Sequence, residues 1–331
     1  MAATRSLFIG GTGVISSACV ARSLEAGHEV TVINRGNSSI RPLPDGVEVL
    51  HADIREPESV HAVLGERSFD VVSEFLAFTP EHIQTDFRLF EGRVGQYVFI
   101  SSASAYQTPP SRLPVTESTP LRNPFWQYSR DKIACEDLLV EAYRERAFPI
   151  TIVRPSHTYD RTMIPTSGHW TDLARMRRGA PVVVHGDGSS LWTITHNTDF
   201  AVAYVGLLGR PEAVGEAFHI TSDEAPTWNE IYSYLAEGLG VEAELVHVAS
   251  ESIAAVVPEL GPGLIGDKAN SMVFDNSKVK ALVPEFRATV PFAKGAGEIV
   301  EWFLADPSRQ RLDPDLDTAF DRLVEHARAF G

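Results

Sequence analysis

The chain has 331 residues, 44% of them hydrophobic and 22% charged, which is the balance of a soluble globular protein with room for one large domain or two. No apolar run reaches the ~20 residues that span a bilayer, and a net charge of −15 opposes attraction to nucleic acid. No cleavable signal is visible ahead of the first strand, and Cys19 and Cys135 fall in helical segments, so free buried thiols and a cytoplasmic location are expected.

Leu7-Phe8-Ile9 is a short apolar run. Gly10-Gly11-Thr12-Gly13-Val14-Ile15-Ser16 follows at once, and then a helical pattern through Ala26. Strand, glycine turn and helix are the context of a phosphate-cradling loop. Glycines let the backbone approach a pyrophosphate, and the helix N-terminus offers free N–H groups and the positive end of its dipole. Glu29 to Ile33 reads as a second strand ending at Asn34-Arg35-Gly36, and Val47 to Leu50 as a third leading to Asp53-Ile54. Asp53 is a candidate N-terminal signal for a helix from Glu56 to Leu64. Asp70 to Glu74 forms the next strand and runs into Phe75-Leu76-Ala77, before a helix from Pro80 to Phe90.

The strand Gln96 to Ile100 leads into Ser101-Ser102-Ala103-Ser104-Ala105-Tyr106. A hydroxyl at the C-terminal end of such a strand, here Ser102, faces the crevice where open α/β sheets bind ligands. Prolines at 109, 110, 114, 120 and 124 make the stretch from Tyr106 to Trp126 a loop. A long helix follows, from about Trp126 to Ala147. Near its start Tyr128 and Lys132 stand four residues apart, on one face and one turn from each other. A nearby ammonium favours the phenolate and is expected to lower the tyrosine pKa from ~10, making the pair a general acid/base for alcohol–ketone interconversion.

After a strand from Pro149 to Val153 comes Arg154-Pro155-Ser156-His157-Thr158-Tyr159-Asp160. The alternation to this point predicts a parallel doubly wound sheet, with residues 1–155 as a dinucleotide-binding domain. From Ser156 the rhythm changes. A helix near Trp170 to Arg178, a strand Val182 to Val184 and a helix from Asn197 to Leu208 precede the strand Ala217 to Ile220, which returns to the main sheet within a segment near 213–223. Segments beyond Pro226, with a terminal helix near Asp317 to Ala329, are expected to cap the crevice, so that residues 156–331 are mainly a substrate-binding cap. His157, His169, His185 and His196 match no compact ligand spacing, and no metal is expected.

The glycine loop, the strand-end Ser102 four residues before Tyr106, Tyr128 with Lys132, Arg154-Pro155, and Gly186-Asp187-Gly188 followed by His196 and Asp199 together resemble the extended short-chain dehydrogenase/reductase family. These are NAD(P)-dependent sugar-nucleotide epimerases, dehydratases and reductases. The likeness covers most of the chain and is greatest to members of the NAD-dependent epimerase/dehydratase type, some of them related to chloroplast stem-loop-binding proteins. It implies a Rossmann α/β fold, a small-molecule substrate and a possible homodimer. It also implies a catalytic set of Ser102, Tyr128 and Lys132, with Ser104, His157 and Trp192 toward the substrate. Cofactor contacts are implied for Gly10, Thr12, Gly13, Val14 and Ile15 in the loop, for Asn34, Arg35, Asp53 and Ile54 toward the adenosine, for Phe75, Leu76 and Ala77 beneath it, and for Tyr128, Lys132, Pro155 and His157. For Asp53 the adenine contact stands beside the helix-signal reading as an equal. An acidic residue at the Asn34 position would bind the ribose hydroxyls of NAD. With Asn34 there and Arg35 next, the cofactor reading leans to NADP.

Two positions depart from the family pattern. Trp192 occupies the slot of an arginine that contacts substrate phosphate, and His157 replaces an asparagine. Losing that arginine removes charge-assisted contacts that a nucleoside diphosphate needs. The expected activity is hydride transfer at a secondary alcohol or ketone of a sugar, sugar nucleotide or related small molecule. The alternative is a non-catalytic dinucleotide-binding regulator or an RNA-associated protein.

Overall fold

The computed structural model describes residues 3–37 and 40–330. Seven strands form one parallel sheet: β1 (Arg5–Ile9), β2 (Glu29–Asn34), β3 (Glu48–His51), β4 (Phe69–Glu74), β5 (Val94–Ile100), β6 (Ile150–Pro155) and, after three short strands, β10 (Ala217–Ile220). Their order across the sheet is β10-β6-β5-β4-β1-β2-β3. The chain winds outward from β1 to β3, then crosses back to β4. The crevice at the C-terminal ends of β1 and β4 is therefore the switch point at which such sheets bind ligands.

Strand alternation explains the two faces. Leu7 and Ile9 of β1 join Val72, Tyr97 and Phe99 in one buried layer. Phe8 joins Val32, Val71, Val98 and Ile100 in the other. Helices cover both layers, so the strands read as near-continuous apolar runs. The helices α1 (Val14–Glu25), α2 (Pro57–Leu64), α3 (Pro80–Phe90) and α4 (Gln127–Arg146) follow β1, β3, β4 and β5. The long helix α4 is one residue shorter at each end than the sequence pattern suggests. Trp126 is extended, and Ala147 is left-handed with φ 54°, so these two residues cap the helix.

The remaining chain builds a separate buried cluster around Trp228, Leu235, Ile299 and Phe303. Two short parallel pairs lie there: β7 (His157–Tyr159) with β9 (Ile194–His196), and β8 (Val182–His185) with β11 (Leu245–Val248). Asp199, on a helix packed against the main-sheet layer, ties that layer to this part, accepting from the amides of Thr289 and Val290 at 2.9 Å each. Among the described residues no helix is long and apolar enough to cross a membrane.

Candidate active site

A single cavity of about 940 Å³ runs from the glycine loop, past the ends of β4 and β5, to the start of α4. At one end Gly10 turns the chain with φ +86°, and a Cβ there would stand 2.6 Å from Leu76 Cγ. A side chain is excluded by both conformation and space. Ser16 Oγ donates to Gly10 O at 2.5 Å and accepts from Gly13 N at 2.9 Å, which holds the loop shut on itself. Val14 and Ile15 open α1, so their amides have no carbonyl one turn back to bond and are available to an anion. The residues fit a dinucleotide pyrophosphate here.

Asn34 Oδ1 accepts from Gly36 N at 2.9 Å and shapes the turn after β2. Arg35 is mostly exposed and pairs loosely with Asp53 at 3.7 Å. Asp53 Oδ1 accepts from Arg55 N at 2.9 Å, while α2 begins only at Pro57 after Glu56. Asp53 thus orders the turn before the helix and lines the cavity, without being the helix cap. Ile54, Phe75, Leu76, Pro155 and His157 also line the cavity, as do Thr12 and Gly13. Ala77 does not. It is buried, and its backbone carbonyl points at Lys132.

Tyr128 and Lys132 share a face of α4 and both line the cavity. Lys132 Nζ donates to Ala77 O and Ile100 O, each at 2.7 Å, and lies 4.7 Å from the Phe78 ring centre and 4.8 Å from that of Phe99. Burial brings the ammonium down to about 8. The expected lowering of the tyrosine is reversed: burial pushes the Tyr128 phenol up to about 12, with the Ser102 hydroxyl opposing and the charge of Asp267 adding to the rise. The physical reason is direction. The lysine's donors go to two backbone carbonyls, and its nitrogen stands 5.8 Å from the centre of the tyrosine ring.

Ser102 caps the short turn after β5 and accepts from Ser104 N at 3.2 Å. A chain of hydroxyls reaches it from behind. Asn123 Nδ2 donates to Ser129 Oγ at 3.3 Å, Ser129 Oγ donates to Ser104 Oγ at 2.8 Å, and Ser104 Oγ stands 2.9 Å from Ser102 Oγ. With Ser129 donating forward, the Ser104 proton is directed to Ser102. The Ser102 proton is then left to point into the cavity, and each bond polarises the next. Ser104 thus both lines the cavity and hydrogen-bonds Ser102 in this chain. Asn123 and Ser129 went unseen in the sequence because one sits in the proline-rich loop and the other on a helix, 19 and 25 residues from Ser104.

At the far end, His157 Nε2 and Trp192 Nε1 are buried without hydrogen-bond partners among the described residues, and both side chains line the cavity. Burial holds His157 down to about 3, so its ring is neutral. Asp267, Lys268, Met272 and Phe274 close this end, together with Trp126. Among the described residues there is no group of three or more side chains placed to hold a metal ion. His185 Nε2 bonds Lys268 O at 3.1 Å instead, and His196 caps the helix that follows it.

Beneath the site, Glu74 and Asp86 are fully buried neighbours, and Tyr97 OH donates to Asp86 Oδ2 at 2.6 Å. Burial raises both carboxyls, Asp86 to about 7, and the charge of Asp86 adds to the rise of Glu74. A carboxyl raised on folding binds more protons in the native than in the unfolded state. Stability is then present at low pH and falls as pH rises from ~4 through 7. Asp86→Asn is expected to flatten that fall, read as Tm against pH from 5 to 8. An unchanged slope would assign the titration elsewhere.

With the fold and cavity in place, comparison with known proteins identifies the class. The model of the NAD dependent epimerase/dehydratase family matches residues 7–221, and the chain belongs to that family. It is 27% identical to the 2'-dehydrokanamycin reductase of Streptomyces kanamyceticus over 288 residues, covering 86% of this chain and 80% of that protein. It is 26% identical to the chloroplast stem-loop binding protein of 41 kDa b of Arabidopsis thaliana, covering 73% of this chain and 65% of the relative. A segment of 165 residues, 45% of this chain, is 27% identical to a UDP-glucose 4-epimerase of Lactobacillus helveticus and covers 50% of that protein. Among solved structures, the epimerase Mth375 of Methanothermobacter thermautotrophicus superposes with a TM-score of 0.76 at 20% identity, covering 93% of this chain and 94% of that one. A UDP-glucose 4-epimerase of Bifidobacterium longum in complex with NAD+ and UDP superposes at 0.74, also at 20% identity, covering 92% of this chain and 100% of that one. At these identities the structures share the fold.

Proposed function

We propose that the protein is an NAD(P)-dependent oxidoreductase that reduces a ketone, or oxidises the matching secondary alcohol, on a small sugar-like molecule. The observation that carries this reading is the placing of Ser102, Tyr128 and Lys132 on one cavity with the glycine loop. When bound, the nicotinamide cofactor supplies or accepts the hydride. The chain's own residues do the rest. The amides of Val14 and Ile15 take the pyrophosphate, Lys132 offers its remaining N–H to the nicotinamide ribose, and Ser102 donates to the substrate oxygen. Tyr128 OH passes its proton to that oxygen as the carbonyl is reduced. A phenol pushed up to about 12 is protonated at neutral pH, the form that reduction needs.

A nucleotide sugar is the weaker substrate candidate. Trp192 offers one N–H donor where a pyrophosphate would need cations or several amides, and the described cavity end holds Lys268 as its nearby cation. The likeness to a stem-loop-binding protein does not redirect the reading to RNA, since a net charge of −15 works against a polyanion.

Native mass spectrometry and a coupled turnover assay test the proposal. The protein should bind an exchangeable dinucleotide and consume NADPH with ketones of unphosphorylated sugars, one alcohol formed per NADPH. A dinucleotide retained through turnover, with epimers interconverted and no net oxidation, would make it an epimerase. Failure to bind either dinucleotide at millimolar concentration would overturn the enzyme reading.

Arg35 bears on cofactor choice. Its guanidinium is mostly exposed and, among the described residues, is held by the loose Asp53 pair alone, so it can turn to a 2′-phosphate. Arg35→Ala is expected to weaken NADP by about tenfold, corresponding to roughly 1.5 kcal/mol for a charge-assisted contact, and to leave NAD nearly unchanged. Calorimetry with both cofactors decides it, and equal losses would remove Arg35 from this role.

A further inference from the structure

We propose that Asp267 is a specificity-determining residue whose carboxylate receives a protonated amine of the substrate, so that the enzyme acts on an aminated sugar or a related amino alcohol or ketone. The proposal rests on the hydride-transfer reading of this cavity and names the substrate class.

Asp267 lies on a five-residue π-helical turn, Leu264–Lys268, that comes from the cap and closes the cavity beside Tyr128. Single π turns occur often at functional sites. This one is fastened on both sides of Asp267. Before it, Gly266 O accepts from Asn123 Nδ2 at 2.6 Å, and a Cβ on Gly266 would stand 3.0 Å from Trp126 Cβ, at the start of the Tyr128 helix. After it, the Lys268 carbonyl accepts from His185 Nε2 at 3.1 Å, Ser190 Oγ at 3.2 Å and Trp228 Nε1 at 3.1 Å. Four side-chain donors thus fix the two carbonyls that flank Asp267. A binding group held by such a rigid surround is pre-organised.

The carboxylate itself is left over. Among the described residues it accepts no hydrogen bond and enters no ion pair, and the sole charge acting on it is that of Lys268. Other loop aspartates behave differently: Asp187 accepts from Ser189 N and Asp275 from Ser277 N, both at 2.9 Å, each closing its own turn. The carboxylate is only partly buried and lines the cavity, where it is open to a ligand. Desolvation pushes it up to about 7, and a cation bound beside it would draw it back down.

The groups around it favour a cation over an anion. Lys132 is engaged by two carbonyls, and His157 and His169 are held neutral at pH 7 by burial. Lys268 extends toward Trp192, its Nζ 6.0 Å from the ring centre. A pyrophosphate at this end would gain one ammonium and meet the Asp267 charge. A protonated amine would gain the carboxylate, while the His157 and Trp192 nitrogens, unpartnered among the described residues, meet hydroxyl groups.

The test uses the full chain loaded with NADP+ and calorimetry with matched probes. These are an oligosaccharide bearing several free amines, its fully N-acetylated derivative, and UDP-glucose. The free-amine probe is expected to bind tenfold or more tighter than the acetylated one. That preference should vanish in Asp267→Asn, while the variant's NADP+ affinity stays at the wild-type value. In the wild type the preference should strengthen from pH 6 to 8 as the carboxyl ionises. No preference for the amine, a preference that persists in Asp267→Asn, or tighter binding of UDP-glucose would each overturn the proposal. The comparison of probes on the wild type stands even if the variant does not fold. Amine binding that depends on Asp267, with no NADPH consumed in the turnover assay, would instead sink the hydride-transfer reading and leave Asp267 as an amine-binding residue only.

Discussion

Tyr128→Phe is expected to lower turnover by ~10²–10⁴-fold, the usual contribution of a positioned proton donor, with the fold and dinucleotide affinity unchanged. The ring is held by its neighbours: Trp126 lies 4.9 Å away centre to centre and Phe78 6.5 Å. Phenylalanine keeps those contacts and deletes only the oxygen. Ser102, the proposed donor to the substrate oxygen, has no readily released proton, so binding should survive while proton transfer should not. The direction of reaction gives a second signature. With the phenol at about 12, ketone reduction finds its acid protonated throughout pH 6–9 and should run with little dependence on that group. Alcohol oxidation needs the phenolate and should rise about tenfold per pH unit across the same range. Both behaviours should disappear in the variant. Wild-type turnover in Tyr128→Phe would remove the tyrosine from the chemistry.

What was legible in the sequence follows from range. The main sheet was readable because its strands, the exposed edge strand β3 apart, are buried on both faces and show as short apolar runs. The loop from Gly10 to Ser16 was readable because strand, turn and helix are consecutive. Tyr128 and Lys132 could be paired because a helix brings residues four apart together. The rest depends on contacts between distant segments. The three-residue strands His157–Tyr159 and Ile194–His196 are too short to show a period, and among the described strands each pairs with the other alone. Asn123 gains its place by reaching Ser104, Ser129 and Gly266 at once, the last 143 residues away. Asp267 carries no motif at all; its meaning comes from the four donors that fix the turn around it. Spacing also set the Tyr128–Lys132 geometry without setting its electrostatics. Two carbonyls from strands β4–β5 territory, Ala77 and Ile100, redirect the ammonium, and burial then decides the sign of the tyrosine shift.

Lys132→Met is expected to weaken dinucleotide binding about tenfold or more and to lower turnover by on the order of 10²-fold, since the proposed function gives this one side chain both the cofactor ribose and a positive charge beside the reacting oxygen. Methionine suits the test. It has similar length, and its apolar end is compatible with the Phe78 and Phe99 rings that now flank the ammonium. It cannot donate to Ala77 O or Ile100 O, so a lower Tm should accompany the change and must be measured with it. A purely structural role would produce only that Tm loss. The distinguishing readout is pH. Burial brings Lys132 down to about 8, below its ordinary value, so the wild-type ammonium is lost as pH rises through 8. Dinucleotide affinity should therefore decline above that pH in the wild type, and the decline should be missing in Lys132→Met. If the variant binds the cofactor as tightly as the wild type and keeps the same limb near pH 8, then the lysine is a strut between two carbonyls, and the cofactor contact must be sought elsewhere in the cavity.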